Sequence, residues 1–220
     1  MHKIIQCTET GEWLKERSKG IGGSDAACIL GLNPYKTNVE LWKEKTGRAK
    51  AQDISQKSCV IYGKKAEEYL RELFILDYPE YLLTYREFDI LTNIEHPFIR
   101  CTLDGELKEK NSEQAGFLEI KTTEIKRKSD WQKWDNQIPM NYFCQILHCF
   151  AVDVDFKFAK VKSQIKYRNA DNKEIKLETR HYHILRENHK ADIETVIEKE
   201  LEFYWYIEHD KEPPLILPEI

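Results

Sequence analysis

The sequence predicts an α/β protein. Residues 58–77 and 193–207 carry apolar residues at helical spacing, whereas 152–158 alternates strictly between apolar and polar residues. Between them, apolar segments at 100–105 and 116–121 flank a polar gap, which is the pattern of a strand hairpin. Helical and strand patterns therefore alternate along the chain, as they do in α/β folds.

The length and composition suit one domain. A chain of 220 residues that is 41% hydrophobic can bury a full core. We predict a single domain over 1–220, with a motif-bearing core at about 13–150 and a C-terminal hairpin and helix at 152–212. No apolar run is long enough to span a bilayer, and residues 1–6 lack the apolar stretch of a signal peptide. The expectation is a cytoplasmic protein with no membrane association.

Cysteine usage and charge narrow the function classes. The six cysteines form no Cys-x-x-Cys pair, which indicates buried free thiols rather than disulfides or an iron–sulfur cluster. The net charge of −4 does not indicate a nucleic-acid-binding protein, but residues 121–133 carry five basic and two acidic side chains beside Trp131 and Trp134. This segment either contacts phosphates and bases or is a charged surface whose tryptophans anchor it to the core.

A glycine-rich loop at 20–23 separates two short helical segments. We predict a helix at 11–17 before the loop and a second helix after it, with Ser24 as its N-cap and Gly31 as its C-terminal stop. The N–H groups of such a loop and helix start can hold an anion, although an ordinary glycine turn has the same pattern.

The middle of the chain adds a strand pair and a helix. Residues 82–91 alternate enough to form a strand, and 97–103 is its expected partner. Pro139 opens a helix that carries Gln145 and His148.

The long helix at 58–77 has a carboxylate near its buried side. The apolar residues predicted on that side are Ala66, Tyr69, Leu70, Leu73 and Phe74. Glu67 lies next to them, where a carboxylate is costly unless it is paired or binds a metal. Exposed helical glutamates are far more common, so Glu67 alone is weak support for a site.

The C-terminal part is predicted to form a hairpin. A turn at 169–172 joins the strand that begins at 152–158 to a second strand at 175–185. The second strand carries His181 and His183. Two histidines without a third ligand give little support for a metal site.

The residues with the clearest chemistry lie in the hairpin from 100 to 121. Its first segment ends at Asp104, and its second contains Glu119 and Lys121, which share one strand face because they are two residues apart. The tripeptide Glu-Ile-Lys begins at Glu119, Glu124 and Glu174. Only Glu119 has an apolar lead-in and an Asp-Gly upstream, whereas Glu124 lies in a polar run with no strand leading into it.

An Asp, a Glu and a Lys brought together by a bent hairpin form a compact site for a hard cation. Two carboxylates suit Mg²⁺ or Mn²⁺, and a neighbouring ammonium can orient an attacking water or help to deprotonate it. This is the chemistry of phosphodiester hydrolysis.

The order of helix, hairpin with Asp-Gly, strand with Glu-x-Lys and helix with Gln resembles the PD-(D/E)xK nuclease core. Three stretches narrow the resemblance to the YqaJ-type viral recombinases, the phage lambda exonuclease family. They are Arg17-x2-Gly20-Ile21-Gly22-Gly23-Ser24-Asp25-Ala26-Ala27 through Asn33-Pro34-Tyr35, Tyr62-Gly63-x3-Glu67, and Thr102-Leu103-Asp104-Gly105 with Leu118-Glu119-Ile120-Lys121 and Gln145. The implied fold is a restriction-endonuclease-like core, with a mixed central β-sheet flanked by helices.

The resemblance implies a role for each matching residue of the hairpin and the long helix. Asp104 and Glu119 would bind Mg²⁺, with Mn²⁺ able to substitute, together with the backbone carbonyl of Ile120. Lys121 would handle the attacking water, and Glu67 would complete a two-metal region.

The resemblance also implies a substrate. Gln145 would support the site from the neighbouring helix. Arg17 and Ser24 fall where family members bind the 5′-phosphate of a DNA end, and Thr102 stands where some carry a serine in that pocket. The implied activity is a 5′→3′ exonuclease on linear double-stranded DNA, phage- or prophage-encoded in a bacterial host, that leaves 3′ single-stranded overhangs. The implied partners are DNA ends, a single-strand annealing protein and, as in some members, a homotrimer.

Two alternatives remain open at this point. One is a PD-(D/E)xK endonuclease of restriction or repair type, which the end-phosphate pocket of Arg17 and Ser24 disfavours. The other is a non-catalytic protein that binds DNA ends or a partner on the same fold. The intact set of Asp104, Glu119 and Lys121 disfavours it.

Overall fold

Helices and strands alternate along the chain in a computed structural model that describes residues 2–168 and 174–217. The helices are α1 (Thr10–Ser18), α2 (Gly23–Ile29), α3 (Asn38–Lys45), α4 (Ser58–Asp77), α5 (Lys128–Gln132), α6 (Met140–Val152) and α7 (Lys190–Glu208). The strands are β1 (His2–Gln6), β2 (Tyr81–Thr84), β3 (Asp89–Asn93), β4 (Arg100–Cys101), β5 (Gly105–Glu109), β6 (Ala115–Ile125), β7 (Phe156–Arg168) and β8 (Ile175–Leu185). A 3₁₀ turn at Arg186–His189 leads into α7.

The central sheet has five strands in the order β2-β5-β6-β7-β8. β6 and β7 are parallel, and the other neighbouring strands are antiparallel. The chain between the parallel pair passes through α6, because parallel neighbours need a crossover rather than a tight turn. A smaller antiparallel sheet, in the order β1-β3-β4, contacts the same helix. The predicted fold class, a mixed sheet flanked by helices, is confirmed.

Alternation along β6 decides which side chains face which helix. Phe117 faces α6, where it packs edge-on against Phe150 with ring centroids 5.1 Å apart. Leu118 and Ile120 face the other way and pack with Phe74 of α4. Because successive strand residues point to opposite faces, the side chain of Glu119 lies on the face covered by α6.

The predicted strand at 82–91 is wrong as a single element. Its first part is β2, which pairs with β5 in the five-stranded sheet, and its last part is β3, which pairs with β4 in the smaller sheet. The chain leaves one sheet for the other between them, and Phe88 has a φ of 67° in the left-handed region. The predicted pairing with 97–103 is confirmed for β3, since Leu91 lies opposite Cys101.

The strand predicted from residue 152 begins later, at Phe156. Val152 is the buried last residue of α6, although its alternation with the following residues matches a strand. The side chain of Asp153 then accepts a hydrogen bond from the N–H of Asp155 at 2.9 Å, which forms a turn. The predicted turn at 169–172 lies outside the described residues.

The buried face of α4 is narrower than predicted. Leu70 and Phe74 are buried, but Tyr69 and Leu73 are 64% and 48% exposed. Arg71 is buried in their place, because the face toward the sheet follows positions 67, 70, 71 and 74. The apolar character of Tyr69 and Leu73 therefore does not mark the core.

The segment after Lys121 is more ordered than its polar composition predicts. β6 runs on to Ile125, so the second Glu-Ile-Lys, at Glu124, does have a strand leading into it. Trp134 is buried and its ring lies 5.8 Å from that of Tyr142. Trp131 packs edge-on against Tyr167 at 4.9 Å. Both tryptophans anchor this segment to the core, as the second of the two interpretations expects.

The prediction of buried cysteines is confirmed. All six cysteines are free, and five of them are buried. In the described part of the chain, no three His, Cys, Asp or Glu side chains form a group able to hold a metal, which includes His181 and His183. Likewise, none of the helices described is both long and apolar enough to cross a bilayer.

A buried ion pair joins α6 to α7. His148 Nδ1 lies 2.6 Å from Glu200 Oε1, and Nε2 lies 2.9 Å from the carbonyl oxygen of Arg100. Burial alone would lower the pKa of His148, but the Glu200 carboxylate and these hydrogen bonds raise it to about 9. As an imidazolium, His148 donates to both oxygens.

The free energy of unfolding should therefore fall in mildly alkaline solution. The folded-state pKa of about 9 lies above the usual 6.5, so this stabilisation is complete below pH 6.5 and is lost as the pH rises through 9. The loss should be on the order of 1–3 kcal/mol. Melting temperatures between pH 6.5 and 9.5 should fall more for the unmodified protein than for Glu200→Gln. Glu202→Gln, an exposed change on the same helix, should follow the unmodified protein. Equal pH dependence in Glu200→Gln would contradict this account.

Candidate active site

Asp104 lies where the pairing of β5 with β6 stops. Gly105 is the first residue of β5 and pairs with Leu118. One step beyond, Asp104 Oδ2 accepts a hydrogen bond from the N–H of Ile120 at 2.6 Å. The carboxylate oxygen thus replaces the backbone carbonyl that a neighbouring strand would offer to this N–H. The same hydrogen bond holds Asp104 beside Glu119. The Asp-Gly of the sequence marks this end of the strand.

Glu119, Lys121 and Gln145 form one hydrogen-bonded group. Lys121 Nζ donates to Glu119 Oε1 and, at 3.0 Å, to Gln145 Oε1. Gln145 Nε2 donates to the same Glu119 oxygen at 2.8 Å. The ammonium also lies 5.0 Å from the ring centroid of Tyr142. The amide of α6 therefore holds the acid and the lysine of β6 in fixed relation.

The carboxylates of Asp104 and Glu119 lie where burial makes their negative charge unfavourable. Burial, and then the nearby charge of Glu67, raise the pKa of Asp104 to about 6. Burial raises the pKa of Glu119 to about 7, although Lys121 opposes this effect. Burial lowers the pKa of Lys121, but Glu119 and Asp104 outweigh it and raise that pKa above the usual value. The site thus holds a protonated lysine and two carboxylates whose charge is only partly compensated.

Arg71 connects Glu67 to the site, although no motif in the sequence marks it. Its Nε donates to the carbonyl oxygen of Asp104 at 2.6 Å, and its Nη2 donates to Glu67 Oε1 at 3.0 Å. The guanidinium lies 3.5 Å from the ring centroid of Tyr85. The spacing of four residues between Glu67 and Arg71 is the signal that could have predicted the pair.

The available ligands fit a hard divalent cation that keeps part of its water shell. No group of three His, Cys, Asp or Glu side chains in the described ranges is ready to hold a metal. The candidate donors are the carboxylates of Asp104 and Glu119 and the carbonyl of Ile120, with Glu67 near enough for its charge to raise the pKa of Asp104. Mg²⁺ commonly binds through one or two carboxylates and takes its other ligands from water and substrate phosphate. The partly compensated negative charge favours such a cation.

A second pocket lies beside this group. Arg17, Ser24 and Thr102 line it together with Arg100 and Gln145. Arg17 Nη2 donates to Ser24 Oγ at 3.3 Å, and its guanidinium lies 5.1 Å from the ring centroid of Trp13. The three residues that the resemblance assigns to the DNA end therefore share one pocket.

The glycine loop brings elements close together. A Cβ on Gly20 would lie 2.3 Å from the carbonyl oxygen of Phe98, and a Cβ on Gly23 would lie 2.8 Å from Gln145 Cγ. Such distances exclude any side chain without movement of the backbone or of Gln145. Gly23 therefore lets α2 approach α6 at Gln145, which belongs to the group of Glu119 and Lys121 and also lines the pocket of Arg17.

The predicted capping of α2 is partly wrong. Gly22 is the N-cap, and Ser24 is the second residue of the helix. The side chain of Asp25 accepts a hydrogen bond from the N–H of Gly22 at 3.0 Å and pairs with Lys45 at 2.7 Å. Because an acid already occupies the helix start, the loop itself is no ready anion site. Gly31, with a φ of 71°, ends the helix as predicted.

The chain is similar to known proteins in sequence and in fold. The family described as YqaJ-like viral recombinase domain matches residues 12–155. The chain belongs to this family. Within it, "Uncharacterized protein YqaJ" of Bacillus subtilis (strain 168) is 38% identical over 141 residues. That match spans 64% of this chain and 41% of the relative.

Solved structures extend the likeness of this YqaJ-like domain to the C-terminal hairpin. An alkaline exonuclease (LHK-Exo) from Laribacter hongkongensis superposes with a TM-score of 0.62 at 16% identity, covering 91% of this chain and 95% of that one. The same protein in complex with dAMP superposes with a TM-score of 0.59, also at 16% identity, with the same coverage. At this identity, the likeness establishes the fold.

Proposed function

We propose that the protein is a Mg²⁺-dependent exonuclease that digests linear double-stranded DNA from 5′ to 3′ and leaves 3′ single-stranded overhangs for phage-type recombination. The observation that carries this proposal is a single contact network. Gln145 bonds to Glu119 and Lys121 and also lines the pocket of Arg17, Ser24 and Thr102. A phosphate pocket thus adjoins an acid–lysine group suited to phosphodiester hydrolysis. LHK-Exo, which has a similar structure, is an alkaline exonuclease, and this supports the proposed activity.

Asp104, Glu119 and the carbonyl of Ile120 would hold Mg²⁺, or Mn²⁺ in its place, and Glu67 would complete a two-metal region. When bound, the cation would neutralise charge on the phosphate under attack and make a water more acidic. Arg71 donates hydrogen bonds to both the Glu67 carboxylate and the backbone carbonyl of Asp104, so it fixes their relative positions.

Lys121 acts as a hydrogen-bond donor in this proposal. Glu119 and Asp104 raise its pKa despite the opposing effect of burial, so the site without a bound cation favours the ammonium form. A protonated lysine cannot remove a proton from water, but it can orient the water and stabilise developing negative charge. Gln145 and the Tyr142 ring keep the ammonium in position.

The Arg17 pocket supplies the direction of digestion. A terminal 5′-phosphate carries more negative charge than an internal diester, and an arginine can bind it through two N–H groups. Contacts with phosphate do not distinguish one base from another, so digestion should show little sequence preference. The expected substrate is a DNA end. The single-strand annealing partner and the homotrimer follow from family resemblance alone.

A panel of labelled DNAs tests the function and the pocket together. With Mg²⁺, linear duplex with a 5′-phosphate should be degraded faster than the same duplex with a 5′-hydroxyl, and a closed circle should survive. Chelation of the metal should stop all cleavage. Cleavage of the circle would favour the endonuclease alternative, and no metal-dependent cleavage of any DNA would favour the non-catalytic one.

Within that panel, Arg17→Ala should remove most of the preference for the 5′-phosphate. The loss should be about tenfold or more, since hydrogen bonds to charged groups contribute roughly 1.5–3 kcal/mol. Lys15→Ala removes the same charge from the same helix at an exposed position and should keep the preference. An unchanged preference in Arg17→Ala would remove Arg17 from the pocket's function.

A further inference from the structure

A cationic pocket lies on the opposite face of the central sheet from Glu119. It opens between the carboxyl end of α4 and the strands β7 and β8, and Tyr78, Lys160, His181 and His183 line it. Lys160 lies opposite His183 in the strand register. Lys162, two residues farther along β7, lies opposite His181, so the four basic side chains form a compact square on one sheet face.

Lys162 already has a partner in this square. It is 2% exposed, and its Nζ lies 2.6 Å from Asp77 Oδ2. Asp77 is the last residue of α4, where a carboxylate is unfavourable beside the helix's own carbonyl groups, so Lys162 compensates both. His181 Nε2 lies at 4.0 Å from the same carboxylate oxygen. Among the described residues, Asp77 is the one acid within ion-pair distance of these four side chains, and its shorter contact is with Lys162.

Lys160 has no such partner. Among the described residues, no carboxylate lies within ion-pair distance of its ammonium, which sits 5.5 Å and 5.2 Å from the ring centroids of Tyr78 and Tyr81. Burial lowers the pKa of Lys160, and the more distant charges of Glu80 and Glu109 oppose that effect. The partly buried ammonium is thus held by aromatic faces, with a net positive charge left over.

The neighbouring lysine charges help to lower the pKa values of His181 and His183. Burial, followed by the charge of Lys162, lowers the pKa of His181, although Asp77 opposes the shift. Burial, followed by the charge of Lys160, lowers the pKa of His183. An anion in the pocket would relieve the repulsion and would find N–H donors on three sides.

We propose that this pocket binds a phosphate group of the DNA backbone outside the active site. The proposal rests on the proposed function, since it assumes a DNA substrate. A chain with a net charge of −4 needs local positive sites to hold DNA, and this one combines oxyanion donors with aromatic walls. Glu67 and Asp77 lie ten residues apart on α4, so the pocket is about 15 Å along that helix from the acidic site. Lys160 and both histidines lie beyond residues 12–155, so the matched family domain does not include them.

Binding of a fluorescently labelled linear duplex, measured by anisotropy in a chelator that prevents cleavage, tests the proposal. Lys160→Gln should weaken binding by about threefold to tenfold and reduce the slope of log affinity against log salt by about one for a lost phosphate contact. His183→Gln removes an imidazole whose pKa is lowered, so it should weaken binding with little change in that slope. Lys160→Arg keeps the charge and should retain affinity. Lys176→Gln removes the same charge from an exposed position on β8, and its side chain points to the opposite face, so it should bind like the unmodified protein.

Equal affinity and salt slope for Lys160→Gln and Lys176→Gln would overturn the proposal, and so would an unmodified protein that does not bind DNA. A second arm separates DNA from free phosphate through the NMR signals of His181 and His183. If inorganic phosphate shifts these signals but Lys160→Gln binds DNA normally, the pocket takes a free anion and the DNA assignment is wrong. If the unmodified protein digests DNA in a metal-dependent way and Lys160→Gln still binds DNA normally, the proposed function is supported and the phosphate-site proposal is wrong.

Discussion

Glu119→Gln and Asp104→Asn should each reduce Mg²⁺-dependent cleavage by about a thousandfold or more. Each change removes one of the two anionic ligands that would hold the cation together with the carbonyl of Ile120. Stabilisation of the transition state by the cation is worth several kcal/mol, and about 4 kcal/mol corresponds to this factor in rate. DNA binding should persist, because the Arg17 pocket and the surface lysines are unaltered. Initial rates on 5′-phosphorylated linear duplex, measured across a range of Mg²⁺ concentrations, give the comparison.

The chain supplies a matched control for the glutamate. Glu124 begins a second Glu-Ile-Lys on the same strand and is exposed, so Glu124→Gln makes the same change outside the site. This variant should cleave at the unmodified rate. Conservative amide replacements are preferred because Asp104 also accepts the hydrogen bond from the N–H of Ile120. If either active-site variant retained near-normal activity at an unchanged melting temperature, the metal site would be assigned to the wrong residues.

Lys121→Ala should lower the rate of cleavage by about a hundredfold or more and leave the dissociation constant for DNA within about twofold. The ammonium is buried between Glu119, Gln145 and the Tyr142 ring, so it is positioned to act on a group inside the site rather than on the DNA surface. Loss of one well-placed donor to a developing charge typically costs 10²- to 10³-fold in rate. Single-turnover rates at saturating protein, together with anisotropy titrations, separate the two quantities.

Lys126→Ala is the corresponding control for the lysine. It ends the second Glu-Ile-Lys and is exposed, and it should reduce DNA affinity slightly or not at all with no effect on the chemical step. If affinity fell in parallel with rate in Lys121→Ala, the lysine would be a phosphate contact and its role in the reaction would need revision.

The main parts of the candidate site could be predicted because its residues are close in sequence. Asp104 directly precedes β5, which forms a hairpin with β6, and β6 carries Glu119 and Lys121, so strand pairing and alternation already bring the three near each other. Arg71 could not be placed in the same way. Its partner in the site is the backbone carbonyl of Asp104, and no residue type in a sequence marks a carbonyl that lacks a strand partner.

The parts of the fold that could not be predicted depend on contacts between residues far apart in the sequence. Alternation at 82–91 is satisfied equally by one strand or by two strands in different sheets, and only the competing partners β5 and β4 decide between them. Tyr69 and Leu73 have the same apolar character as Leu70, yet the sheet contacts only one stripe of α4. The square of Lys160, Lys162, His181 and His183 depends on the register of β7 with β8, which individual strand patterns do not reveal.

The absence of a side chain at Gly23 has a consequence for the size of the product. It lets α2, which carries Ser24, pack directly on the Gln145 side chain that holds Lys121 and Glu119. Two rigid helices in direct contact leave little freedom in the distance between the end-phosphate pocket and the carboxylates. Under the proposed function, that distance is the step length of digestion, because it selects which phosphodiester lies over the carboxylates when the terminal phosphate is bound. An enzyme built in this way would release fragments of one uniform length at every cycle.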